Sequence, residues 1–316
     1  MMLEAGLFEP ASNSLLWGFG HMKSKKRMMT RMIPKLDFCK NQDKGFTLVE
    51  LLVVIAIIAL LMAILLPALN KARDQANTVR CASNLHQFGL MYEMYSQTHN
   101  ESMPGGWNSG TMWMVDLMPY YQGVGDVRLC PKARKFLDQT GCPDDAHCPK
   151  TVDSAWGRWG QPGFYGGTVE VWAKAGLYGS YGVNGWAHNP PDIGVTINGT
   201  KLYDIPVTPV DMRPLYWRSM LNVKHSADVP LMADAMWDGT EPMVDNSPPS
   251  SVCLQNSNMS VFCMPRHGGR TNMLFMDKSV RKIGLRSLWS LTWHTKWRPI
   301  DQAYMDWPQW MKDLPN

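Results

Sequence analysis

After residue 45 the sequence carries no net charge. The formal total is +4, yet residues 1–45 hold eight Lys and Arg against four Asp and Glu, leaving 23 of each sign in the remainder. That remainder gives no support for nucleic-acid binding. The chain also lacks an internal repeat, a low-complexity tract and any Cys-x-x-Cys pair. Without such a knuckle, Cys130, Cys142, His147 and Cys148 are poorly spaced for a zinc site. Long helical periodicity is missing after about residue 100, and no nucleophile sits in a recognisable catalytic context.

What is present is one apolar run, Phe46–Leu66, 21 residues long, in which only Thr47 and Glu50 are polar. As a helix it reaches roughly 32 Å, close to the hydrocarbon thickness of a bilayer. It is apolar on every side, and globular cores rarely use so long an unbroken segment. The preceding Lys23, Lys25, Lys26, Arg27, Arg31, Lys35, Lys40 and Lys44 form a positive flank. Positive flanks stay cytoplasmic, so the chain beyond Leu66 is expected outside the cytoplasm. A secretory signal would have a shorter apolar region followed by a small-x-small cleavage site. The best downstream match, Ala68-Leu69-Asn70, is a poor one. Glu50 is the anomaly, because a carboxylate in a bilayer core costs roughly 2.5–3.5 kcal/mol.

The hexapeptide Gly45-Phe46-Thr47-Leu48-Val49-Glu50, set ahead of this run, resembles the processing site of type IV pilins and type II secretion pseudopilins. The resemblance implies cleavage by a prepilin peptidase between Gly45 and Phe46, with methylation of the new amino terminus. Glu50 then becomes the fifth mature residue, and Pro67 falls where the family often carries a helix-kinking proline. It also implies a partner for the carboxylate, namely the amino terminus of a neighbouring subunit. A buried carboxylate is tolerable when paired and costly when not. A basic leader of 45 residues is long for this family, and Met22, Met28, Met29 and Met32 offer later starts.

Beyond Pro67, the residues Ala72, Ala76, Val79, Ala82, Leu85, Gly89, Tyr92 and Tyr95 recur at helical spacing. They predict an amphipathic continuation that ends by Pro104-Gly105-Gly106. The remaining residues are rich in Gly, Pro, Asn and Trp. Short β-prone runs at 167–172, 194–199 and 271–283 predict antiparallel sheet with long loops. The expected fold is α+β and pilin-like, a long helix packed on a loop-rich antiparallel sheet. Its expected parts are a removed leader (1–45), a transmembrane helix (46–66), an amphipathic continuation (67–100) and an extracytoplasmic domain (101–316).

Six cysteines survive removal of the leader: Cys81, Cys130, Cys142, Cys148, Cys253 and Cys263. Outside the cytoplasm an even number permits disulfides, with Cys142–Cys148 and Cys253–Cys263 the nearest in sequence. The segment from His267 to Val280 resembles the H-x9-DG segment of large pseudopilin-like proteins, with His267 and Asp277 in register and Lys278 in place of glycine. Its residues read as a β-hairpin turning at Asp277-Lys278. Asp277 is expected to cap that turn and His267 to bond locally, in preference to a catalytic pair. Asp234 and Asp238, close to Gly239, raise the idea of a cation site, calcium by analogy with some pseudopilins, but lack the other carboxylates of an EF-hand loop. Trp289, Trp293 and Trp297 are spaced for one helix face, with core packing or subunit contact favoured over a glycan platform.

The sequence therefore points to a structural subunit and not an enzyme, without metal or other cofactor. Its expected site is the inner membrane, crossed once, with the prepilin peptidase and other pseudopilin subunits as partners. A membrane-anchored module binding polysaccharide or a secreted substrate is the alternative. A hydrolase using His267 and Asp277 is the third reading.

Overall fold

The structure is a computed structural model that describes residues 46–106, 113–121, 127–133, 135–136, 151–157, 178–190, 196–197, 200–201, 212–221 and 223–315. The leader, Gly45, Cys142 and Cys148 lie outside the described residues, as does the β-prone run at 167–172. The contacts group the chain into two units, Met1–Ile57 and Ile58–Asn316.

Helix α1 spans Leu48–Thr98, 51 residues, and passes through Pro67 without interruption. Its large apolar side chains from Leu48 to Leu69 are all exposed to solvent in the isolated chain. Among the described residues it is the one helix long and apolar enough to cross a membrane. The character changes in its second half. Cys81, Leu85, Phe88, Tyr92 and Ser96 are fully or almost fully buried, at spacings of three and four that make a single stripe. Leu85, Gly89 and Tyr92 are buried as the spacing predicts, and the departure lies nearer Pro67. Ala72, Ala76 and Val79 are exposed, whereas Cys81 and Phe88 set the buried line. Small residues weigh little in burial, and the large aromatic decides which face turns inward.

Among the described residues, ten short strands follow. They are β1 (Lys135–Phe136), β2 (Ser154–Gly157), β3 (Tyr178–Gly179), β4 (Tyr181–Asn184), β5 (Thr196–Ile197), β6 (Thr200–Lys201), β7 (Pro230–Asp234), β8 (Gly239–Thr240), β9 (Arg270–Phe275) and β10 (Val280–Gly284). The main sheet runs β10-β9-β7-β4-β8. Its pairings are antiparallel except β4 with β8, which is parallel. The smaller β1-β2-β3 sheet also mixes directions. The domain is thus α+β with a mixed sheet, where an antiparallel one was expected. The reason is local: β8 follows β7 after only four residues but pairs with β4, across a loop in which Val183 N donates to Asp238 O. Gly182 permits this crossing, because a Cβ there would lie 2.6 Å from Trp237 O.

β4 and β7 are buried throughout, so each face of the sheet covers a core. Leu274, Met276, Tyr181 and Val183 join the α1 stripe on one side. Met273, Phe275, Ala233 and Ala235 join Phe262, Trp289 and Trp293 on the other. That second layer is built of loops and 3-10 turns, not a long helix. Only Trp289 lies in a helical turn (Leu285–Ser290), and Trp293 and Trp297 follow it in loop, so the three do not share a helix face. All three are buried, and Trp289 and Trp293 donate their indole N–H groups to Asn246 O and Leu288 O. These two are packing residues with satisfied polar edges.

Candidate functional site

The two candidate sites are the start of α1 and a polar cluster under its buried half. At the start, Glu50 N donates to Thr47 Oγ1 (3.2 Å), and Thr47 N and Oγ1 both donate to Glu50 Oε2 (2.9 Å each). Thr-x-x-Glu in this geometry is a capping box, in which two otherwise unpaired backbone donors are satisfied reciprocally. The spelling T-L-V-E, with its Thr and Glu three apart, is the sequence signal for this cap. Both recorded bonds to Glu50 side-chain oxygens fall on Oε2. Phe46 precedes the box and is exposed. Pro67 lies inside α1, where its missing N–H leaves one carbonyl of the preceding turn without its helical partner.

The second site gathers four segments remote in sequence. Cys81 comes from α1, Cys130 from the 127–133 loop, Asp234 from the last residue of β7, and His267 from the bend before β9. All four are buried, and their ligand-type atoms lie within 4.8 Å of one another. His267 Nε2 is 3.0 Å from Asp234 Oδ2 and 3.4 Å from Cys130 Sγ. Cys81 Sγ is 3.5 Å from Asp234 Oδ2. Asp234 Oδ2 also accepts from Asn272 N (3.2 Å), and Oδ1 from Arg266 Nη1 (3.3 Å). Arg266 itself is buried and donates to the carbonyls of Val152, Ser154, Ser180 and Ala235. It ties the 151–157 segment to the sheet while neutralising Asp234.

The orientation of His267 follows from one proton. Thr78 Oγ1 donates its hydrogen to Asp74 O (2.9 Å). It is therefore an acceptor toward His267 Nδ1, 3.1 Å away, so Nδ1 carries a hydrogen and Nε2 faces the cluster. The charges then adjust. Burial alone would lower the His267 pKa, but the Asp234 carboxylate and its hydrogen bond raise it to about 9. Burial would raise Asp234, but the His267 charge and bond, with Arg266, hold it below the ordinary carboxylate value. For Cys130 burial is outweighed by hydrogen bonds to Cys81 and His267 and by the Arg266 charge, which bring the thiol to about 7. Cys81 is pushed up by burial and by its bond to Cys130.

His267 and Asp277 do not meet. They flank β9, whose six residues span about 20 Å. Asp277 Oδ1 accepts from Ser279 N (2.9 Å) and Ser279 Oγ (2.6 Å), capping the turn as expected. The His267 backbone N–H does bond locally, to Arg270 O (3.0 Å), while its side chain is drawn into the cluster. The hairpin forms as read, and Lys278 takes a positive φ of 69° where a glycine would sit without strain. Asp234 and Asp238 have different settings: Asp234 serves the cluster, while Asp238 lies in the β7–β8 connection, where its carbonyl accepts from Val183 N (2.9 Å). Cys81, Cys130, Cys253 and Cys263 are all free thiols. The expected Cys253–Cys263 pairing is absent: Cys263 is fully buried with Sγ toward Met259 O, while Cys253 is partly exposed.

The prokaryotic N-terminal methylation motif matches residues 40–66, across the capping box and the apolar run. The type IV wide pilus major component PilA4 of Thermus thermophilus is 49% identical over 57 residues, which are 18% of this chain and 44% of that protein. The N-terminal stretch is type IV pilin-like. The likeness covers less than half of that relative's length. No solved structure matches the chain.

Proposed function

We propose that the chain is the precursor of a pilin-like structural subunit, cut between Gly45 and Phe46 by a prepilin peptidase and methylated there. Residues 46–66 anchor it in the inner membrane, with the sheet domain outside the cytoplasm. Subunits join through α1 in a type IV pilus-like or type II secretion apparatus. The observation that carries this reading is the first half of α1: apolar and exposed on all sides, opened by a methylation motif, and continuous with a helix that the domain buries on one face. A helix of this kind is stable in lipid or against copies of itself. In such an assembly Glu50 serves register, pairing with the amino terminus of a neighbouring subunit while still closing its own helix.

Mass spectrometry of the membrane fraction tests the processing step. The expected mature chain begins at Phe46 and carries an N-terminal methyl group. A chain that begins at Met1, or after Ala68, overturns the reading.

A further inference from the structure

The buried cluster has a geometry that hydrogen bonding alone does not require. Four side chains of metal-ligand type converge from four separate segments, with two sulfurs, one imidazole nitrogen and one carboxylate oxygen. A tetrahedral zinc ion binds sulfur at about 2.3 Å and nitrogen or oxygen at about 2.0–2.1 Å. Simple trigonometry then sets the ligand–ligand edges at about 3.5 Å for sulfur to nitrogen or oxygen, and about 3.3 Å for nitrogen to oxygen. The cluster shows 3.4 Å for Cys130 Sγ to His267 Nε2, 3.5 Å for Cys81 Sγ to Asp234 Oδ2, and 3.0 Å for His267 Nε2 to Asp234 Oδ2. Three of the six edges thus lie close to those of a metal-sized tetrahedron, and the other three are no longer than 4.8 Å.

We propose that Cys81, Cys130, Asp234 and His267 bind one zinc-class divalent ion as a closed structural site. Three further observations support it. The Thr78 hydroxyl, committed as donor to Asp74 O, keeps the hydrogen on His267 Nδ1 and presents Nε2 to the ion, the usual outer support of a metal-bound imidazole. Two thiolates, the Asp234 carboxylate, the Arg266 guanidinium and a divalent cation sum to zero, so the loaded site places no net charge in the core. All four ligands are buried, which suits a structural ion with no open position for substrate. Binding releases to solvent the thiol protons and the Nε2 proton of the His267 imidazolium, leaving a neutral imidazole that keeps its Nδ1 hydrogen.

The location gives the ion a purpose. Cys81 is where α1 first becomes fully buried, so the site staples the helix to the sheet at the point where it enters the domain. Any load carried along α1 in an assembly reaches the domain there. The ion also closes three long loops, from 81 to 130, 130 to 234 and 234 to 267.

The full chain, purified from membranes in detergent under non-reducing conditions, provides the test. Elemental analysis is expected to find about one zinc per chain. Exchange for cobalt is expected to give the thiolate-to-metal absorption and intense visible bands of a tetrahedral site. Cys130→Ser is expected to abolish both, and Cys253→Ser to leave them. Chelation of the wild type is expected to lower the domain's Tm by several degrees, a readout that survives if Cys130→Ser fails to fold. An intact mass lower by one hydrogen pair, with Cys81 and Cys130 joined, would overturn the proposal in favour of a disulfide. So would free thiols with no ion after zinc is supplied, or full metal content in Cys130→Ser.

Discussion

The two halves of α1 share one unbroken backbone and obey opposite rules. From Leu48 to Leu69 no face is distinguished, and large side chains such as Leu60 and Ile64 stand exposed all round. From Cys81 to Ser96 one stripe is buried and the rest is mostly polar, with Leu90 and Met94 the large apolar exceptions. Helical hydrogen bonding is common to both, so it does not tell them apart. What differs is the medium each face requires. The second half obtains its apolar surroundings from its own chain, and the first half must find them in lipid or other subunits. One helix can therefore be stable and incomplete at once, and that incompleteness is where the functional reading starts.

The comparison breaks most visibly by truncation. Phe88 is fully buried, with Trp113, Tyr121 and Tyr181 at ring-centroid distances of 5.3, 6.3 and 6.1 Å. Phe88→Ala is expected to cost about 3–5 kcal/mol, which lowers the domain's Tm by roughly 10 °C or more. Leu60→Ala is expected to leave that Tm unchanged, because Leu60 touches no core of the domain. Thermal unfolding of both variants in the same detergent checks this. Equal shifts would mean that the apolar half is part of the domain's fold.

Much of this was legible in advance, and what was not shares a cause. The capping box, the apolar run and the hairpin at 270–284 are local patterns in which each residue depends on neighbours a few positions away. The metal-type cluster draws on positions 81, 130, 234 and 267, and no spacing rule links them. In the sequence His267 stands out through its spacing from Asp277, and Asp234 through Asp238. The strand β9 carries the first pair apart, and in each case the fold supplied the true partner. The α1 stripe is legible from Leu85 onward and not nearer Pro67, for a related reason. Alanines at helical spacing look like a buried face, yet Phe88 and Cys81 find the depth beneath the sheet.

A smaller effect sharpens the boundary at the far end of the helix. Lys278, strained in its turn, reaches Glu93 on α1 at 2.8 Å. The hydrogen bond from Lys278 holds the Glu93 carboxyl below its ordinary value of 4.5, against a modest opposing effect of burial. A carboxylate depressed on folding stabilises above its unfolded value, and that stability is lost as pH falls through the folded one. Both side chains are more than a third exposed, so the pair contributes about 0.5 kcal/mol or less. Glu93→Gln is expected to lower Tm slightly at pH 7 and not at all at pH 3. A Tm difference that persists at pH 3 would assign the loss to packing and not to charge.

The smallest effect on the fold is expected at Glu50, and it decides the most about the free half. Glu50→Leu confounds two roles, since it removes both the charge and the capping box. Glu50→Gln separates them. Glutamine at this position still accepts from Thr47 N, so the first turn remains closed. The domain's Tm is expected to stay unchanged, as are membrane insertion and cleavage after Gly45. What is expected to fail is ordered association, because the neutral amide no longer meets a neighbouring amino terminus as an ion pair. Thr47→Ala is the converse variant: it weakens the cap by about 1 kcal/mol and keeps the charge. Cysteine crosslinking along residues 46–66 compares the three chains. If register is electrostatic, the wild-type ladder survives Thr47→Ala and is lost in Glu50→Gln. If the ladder survives Glu50→Gln and is lost in Thr47→Ala, Glu50 acts on its own helix end alone, and the association of subunits rests on apolar packing.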